Sequence, residues 1–360
     1  MNYSKSKELI KNQILETKGI AILFMLLLHL FCTKNYVGLF EPLIFIGKYP
    51  LIYYLALFGD CCVALYCFCS GYGLMYNYTR DRESFNKRNR KRILNLYIKY
   101  WIIFLIFVIL IGTFILKKSG YPGSFKNIFL TLTGISPGYN GAWWFFTTYI
   151  LLIISSKTIN EIILRRNNIL ILICSLIFYF VAYIQRIKVT IILDSELGNY
   201  ILRQISLYGT SQLPFIIGAI FQKNRIYSYL SYRMERYKYK NTILYLIILA
   251  MIIFHGFIET LFIAVFTGII FICCFNLIDK KEDISKFFQY MGKHSTNLWL
   301  IHMFIYMTFF KKYIYALKYP VLIYLWLVLI CLIISCMINK IEKYIIGEKN
   351  VKIINNNTSL

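Results

Sequence analysis

Apolar residues fall in long runs near residues 19–36, 58–78, 100–117, 142–163, 169–187, 203–222, 241–255, 257–278, 291–310 and 320–340. A membrane-spanning α-helix needs roughly 20 mostly apolar residues. The pattern therefore predicts an all-α polytopic membrane protein with about ten transmembrane helices. The run at 203–222 is the most polar and that at 241–255 is short, so the count turns on these two. Segment 42–57 is also apolar, but Lys48 and Pro50 interrupt it. It is expected as an interfacial or re-entrant piece on the outer side.

Charge between the runs sets the orientation. With the N-terminus inside, 28 of the 40 Lys and Arg residues fall in cytoplasmic segments and 11 in external ones, with Lys157 inside a helix. Basic residues concentrate on the cytoplasmic side of membrane proteins, so both termini are expected inside (N-in/C-in). The first apolar run has no small-residue cleavage site and reads as an uncleaved anchor. With no internal repeat and no polar stretch long enough for a soluble unit, residues 1–345 read as a single transmembrane domain. Residues 346–360 read as a cytoplasmic tail, expected to be disordered from Asn355 onward.

Composition agrees. Of the 360 residues, 59% are hydrophobic and 16% charged, and the mean hydropathy is +0.60. A soluble domain is nearer about 45–50% apolar and about 25% charged. The net charge of +24 would suggest nucleic acid in a soluble protein. Here the bases sit in short loops, and headgroup contact with the lipid bilayer is the reading, with no nucleic-acid partner. The ten cysteines lie mostly in apolar runs without zinc-ligand spacing, and read as packing residues with no metal.

In such a chain the informative residues are the polar ones at helix depth. His29 follows Lys18 by eleven residues, about 16 Å of helix, and at about 100° per residue returns to nearly the same face. That places Lys18 at the cytoplasmic surface and His29 near mid-depth. His302, counted from Gly292, and Ser70, counted from Asp60, reach similar depth, about 15 Å. A common interior cavity is one reading; interhelical hydrogen bonds, or for Ser70 close helix packing with Gly71, are the alternative. Trp143 and Trp144 open the fourth helix, as an interfacial belt or as an acceptor-binding surface. The run from Lys87 to Arg92 is a headgroup contact or an anion site.

Several segments resemble one family, the bacterial membrane acyltransferase 3 family, which O-acylates cell-surface glycans. They are Lys18-Gly19-Ile20-Ala21-Ile22 through His29; Val63 to Tyr72 with Ser70-Gly71; Lys91-Arg92-Ile93-Leu94-Asn95-Leu96-Tyr97-Ile98-Lys99-Tyr100-Trp101; Trp144-Phe145-Phe146; Phe215-Ile216-Ile217-Gly218; and Gly292 through His302. Lys18 and Asn95 stand where the family usually has Arg, and Ile98 where it has Pro. The resemblance implies that the domain 1–345 transfers an acyl group, commonly acetyl, from cytoplasmic acyl-coenzyme A to a hydroxyl of an extracytoplasmic or lipid-linked polysaccharide, in the plasma membrane of a bacterium. Acyl-CoA is then a donor substrate, and no bound cofactor is expected.

On that reading His29 is the general base, which requires a neutral imidazole. Glu41 is a candidate to orient it, and His302 or Ser70 to hydrogen-bond the thioester oxygen. Lys18, Arg88, Arg90 and Arg92 would hold the anionic donor. Trp143, Trp144 and Tyr139 would stack on sugar rings, with Asn140 and Asp60 bonding hydroxyls. The competing class is a transporter or flippase of lipid-linked glycan without acyl-transfer chemistry. The acyl group, the glycan and the oligomeric state are not encoded legibly.

Overall fold

The structure is a computed structural model and describes residues 9–347. Most of the expected tail, from residue 348 on, lies outside the described residues. Helices occur at all ten predicted positions. Helix α1 is Lys11–Phe31. A hairpin pairs Phe45–Ile46 (β1) with Tyr49–Pro50 (β2). Helix α2, Leu51–Phe58, then runs through one tight turn, Gly59–Cys61, into α3, Cys62–Arg80.

This corrects the expectation for 42–57. Only the hairpin stands apart; the rest opens the second span, a 30-residue apolar unit Leu51–Arg80. Pro50 caps that helix instead of interrupting it, because the first helical turn needs no amide hydrogen there.

Helix α4, Phe85–Phe104, widens into π-type turns over Leu105–Ile115, so the basic run 87–92 is helical and not a loop. A short helix α5, Phe125–Leu132, follows, then α6 (Trp144–Arg165), α7 (Asn168–Lys188) and α8 (Glu196–Lys223). Next come α9 (Ile226–Met234), α10 (Lys240–Phe257) and α11 (Ala264–Leu277). The chain closes with α12 (Glu282–Met303), α13 (Lys311–Tyr315) and α14 (Pro320–Ile346). Among the described residues, seven helices are long and apolar enough to cross a membrane. Helices α8 and α12 carry too many polar residues to join them, and α11 is short.

Two helix pairs form the frame, and each is locked by reciprocal glycines. A Cβ on Gly19 of α1 would strike the Phe288 carbonyl of α12, and a Cβ on Gly292 of α12 would strike the Leu15 carbonyl of α1. Likewise Gly71 of α3 sits on the Phe215 carbonyl of α8, and Gly218 of α8 on the Phe68 carbonyl of α3. Small residues let helix backbones touch where lipid gives no hydrophobic drive to associate. The close packing expected at Ser70-Gly71 is therefore made by Gly71.

The two ends of the bundle differ. Where α1 begins, Gln13 donates to the Tyr227 hydroxyl (2.9 Å), Asn276 donates to Thr17 (2.9 Å), and Lys280 pairs with Glu16 (3.3 Å). Where α1 finishes, the Tyr315 hydroxyl donates to the Leu30 carbonyl (3.3 Å), and Lys34 pairs with Glu259 (2.6 Å).

Candidate active site

Helix α1 starts at Lys11, before its apolar run, and α12 starts at Glu282 and runs on through π-type turns over Phe304–Phe309. His29 lies in the last turn of α1, and His302 lies just before those π-type turns, inside a continuous rod. The structure brings the two together: their ring centroids are 5.0 Å apart, with Tyr306 stacked on His302 at 6.0 Å.

His302 is fully buried, and its Nδ1 lies 2.8 Å from the Trp299 carbonyl and 3.1 Å from that of Leu298. Carbonyls only accept, so Nδ1 carries the hydrogen. Nε2 is then a bare lone pair, buried with no hydrogen-bond partner. A cross-brace holds this end of α12 in place. Asn140 Nδ2 and Trp143 Nε1 both donate to the Leu300 carbonyl (2.9 and 3.0 Å), and Trp299 Nε1 donates to the Ala142 carbonyl (2.9 Å).

Other expected partners lie elsewhere. Glu41 is exposed and pairs with Lys318 (3.4 Å), whose carbonyl accepts the Glu41 amide (2.8 Å). The carboxylate whose charge reaches His29 is Asp60, in the turn before α3. Ser70 is ten residues beyond Asp60, about 15 Å along the helix, and its hydroxyl donates to the Tyr66 carbonyl of the preceding turn (2.8 Å). Ser70 is thus separated from the histidine pair. Trp143 is a core residue, 1% exposed and packed on Tyr100 at 4.5 Å, and not part of an acceptor surface. Asn140 is spent on the brace and on capping Ala142, and the Tyr139 hydroxyl bonds the Pro122 carbonyl. Trp144 does face a polar group: the Arg186 guanidinium lies 4.6 Å from its ring.

Of the four basic candidates, two converge. Lys18 and Arg92 are close enough for their charges to act on each other. Arg92 donates to Asn89 Oδ1 (3.0 Å) and interacts with Tyr149. Asn89, Arg92 and Asn95 repeat every three residues along α4, which puts them on its inward face; all three are buried, and Asn95 Nδ2 has no hydrogen-bond partner. Arg90 is exposed. Arg88 is bound to the Asp81 carboxylate and to the Asn77 carbonyl (3.1 Å). The Ser84 amide and then Arg88 hold the Asp81 carboxyl below the usual carboxylate range.

The site therefore has a histidine pair at one end of α1 and a buried basic and amide cluster toward the other. The sequence reading missed Asn95 as a ligand candidate, since it registered only as a departure from Arg. It also missed Tyr306, Arg186 and His255, which belong to separate helices and share no spacing signal.

A family model described as an acyltransferase domain matches residues 17–340, and the chain belongs to this family, the acyltransferase 3 family. No curated protein and no solved structure matches it.

Proposed function

We propose that this multi-pass membrane acyltransferase takes an acyl group, acetyl in the simplest case, from cytoplasmic acyl-CoA and places it on a hydroxyl of an extracytoplasmic or lipid-linked glycan. In this reading the bundle is oriented with both termini inside the plasma membrane of a bacterium, as the charge distribution favours. The observation that carries the proposal is the pairing of His29 with the buried, tautomer-fixed His302.

His29 removes the proton of the acceptor hydroxyl as the oxygen attacks the thioester carbonyl. The tetrahedral intermediate collapses, the carbon–sulfur bond breaks, and the thiolate leaves with the proton that His29 held. His302 is not suited to donate to the oxyanion, because its one N–H is occupied by carbonyls. Its role is to accept: once His29 is protonated, the Nε2 lone pair takes a hydrogen bond from the new imidazolium. That bond is absent in the resting site, so it stabilises the transition state more than the ground state. Lys18, Arg92 and Asn95 hold the phosphates of the donor, and its thioester arm extends along α1 toward His29.

The test is thiol release from acetyl-CoA by the purified protein. The proposal expects slow release by the wild type and loss of about 10²–10⁴-fold in His29→Ala. Equal rates in the two proteins would remove His29 from the chemistry.

A further inference from the structure

Asp60, whose charge reaches His29, also lines a cleft of about 30 Å³ together with Tyr179, Tyr183, Arg186, Ser211 and Pro214, among others. Its polar groups are set in place yet incompletely bonded. Arg186 donates to Thr210 Oγ1 (2.9 Å), and its guanidinium lies 4.6 Å from the Trp144 ring. These two contacts fix its plane while Thr210 takes one of five N–H donors. Asp60 interacts electrostatically with Arg186.

On the far side of Asp60 stands His255, fully buried, with Nε2 3.9 Å from the carboxylate, beyond hydrogen-bond reach. His255 Nδ1 is 3.3 Å from Thr267 Oγ1, whose own hydrogen goes to the Ile263 or Ala264 carbonyl. His255 Nε2 has no hydrogen-bond partner. The Asp60 carboxylate and Nε2 face each other across 3.9 Å with no hydrogen bond between them. Ser211 Oγ, 1% exposed, has only the Cys67 thiol beside it. Pro214 has no amide hydrogen for the Thr210 carbonyl four residues back.

This set selects a chemistry. The Asp60 carboxylate, with no hydrogen-bond donor among the described residues, lies next to a guanidinium and a hydroxyl with capacity to spare, which matches groups that both donate and accept, namely alcohol hydroxyls. The opposite charges of Asp60 and Arg186 offset each other, so an anion would meet Asp60 and a cation Arg186. The hydroxyls of Tyr179 and Tyr183 are turned to the Phe262 carbonyl (2.8 Å) and to Thr260 (2.6 Å), which leaves their rings as apolar walls. The volume suits one or two hydroxyl groups and not a whole ring.

We propose that this cleft is the acceptor subsite and that it takes the hydroxyl-bearing edge of a neutral sugar, presenting a neighbouring hydroxyl to His29; this rests on acyl transfer being the reaction. Asp60 links the two sites: its charge reaches His29 and it lines the cleft.

The experiment uses the full-length purified protein in lipid nanodiscs, with acetyl-CoA as donor and three soluble probes: the methyl glycosides of glucose, glucuronic acid and glucosamine. Thiol release is followed with and without each probe. The neutral glycoside is expected to accelerate release saturably, and the charged ones less. Arg186→Gln should raise the KM for the neutral probe about tenfold, the loss of one charge-assisted hydrogen bond. It should leave the KM for acetyl-CoA unchanged, because the donor is held toward the other end of α1. Ser211→Ala, a smaller change that guards against misfolding, should raise the probe KM about threefold. Unchanged probe KM in both variants, or a preference for the glucuronide, would overturn the subsite while leaving acyl transfer intact. No thiol release under any condition would overturn the acyl-transfer reading and the subsite with it.

Discussion

His29 and His302 meet with ring centroids 5.0 Å apart, and only one of the two has its hydrogen bonds fixed. His302 spends its N–H on the Trp299 and Leu298 carbonyls and turns an unpaired, buried lone pair into the site. On the proposed mechanism that asymmetry gives the two rings separate parts: His29 would move the proton, and His302 would steady it.

If His302 acts only as an acceptor for protonated His29, His302→Phe keeps the ring volume and removes the lone pair. The turnover of acetyl-CoA should fall by roughly 10²-fold, within the range for a group that assists proton transfer. The KM for acetyl-CoA should stay the same. Steady-state kinetics of thiol release separate the two parameters, and a change confined to KM would assign His302 to binding.

Donor recognition should divide the basic residues. Arg92, buried on the inward face of α4 beside Lys18, is expected to contact phosphate, so Arg92→Gln should raise the KM for acetyl-CoA about tenfold. Arg90, exposed on the same helix, should be replaceable by Gln with no change. Equal effects at the two positions would mean that general surface charge attracts the donor.

The glycine crossings should be intolerant. In Gly292→Ala the new methyl group meets the Leu15 backbone carbonyl, which has no room to yield. A loss of about 1–3 kcal/mol, the cost of overpacking, is expected, visible as a lower Tm of the purified protein. Gly256→Ala is the control, since its nearest neighbour is the Tyr54 ring at 3.3 Å.

The contact between Lys34 and Glu259 should confer acid sensitivity. The Lys34 hydrogen bond, helped by the Tyr53 hydroxyl at 2.9 Å, holds the Glu259 carboxyl below the usual carboxylate range. A depressed carboxyl pKa stabilises the fold above the unfolded value, about 4.3, and that stability is lost as pH falls through the folded value. Thermal unfolding of wild type should therefore drop below about pH 4, and Glu259→Gln should flatten that part of the profile.

What the sequence made legible follows from what membranes penalise. Apolar runs must be long to span, so the helices could be read directly, and polar side chains inside them are costly, which is why His29 and His302 stood out in the sequence. Helix ends could not, because α1 and α12 begin in polar sequence that packs against other helices: Glu16 is buried under Lys280, Ser285 and Gln289. His29 consequently sits in the last turn of α1, while His302 lies inside a rod that runs on to Phe309. Adjacent residues point about 100° apart on a helix, so Trp143 and Trp144 could not be told apart until the helix was oriented; one became core and the other the platform for Arg186. Glu41 lies in a loop, where spacing says nothing of direction. The cleft around Asp60 draws residues from separate helices, which no one-dimensional pattern joins.

The most direct measurement is the O-acyl content of the surface polysaccharide, by NMR, from cells carrying the wild-type gene, a deletion, or His29→Ala. The account predicts O-acyl signals in the wild type only, with His29→Ala present in the membrane at normal level. Unchanged O-acylation in His29→Ala, or an unchanged polymer in the deletion, would contradict it.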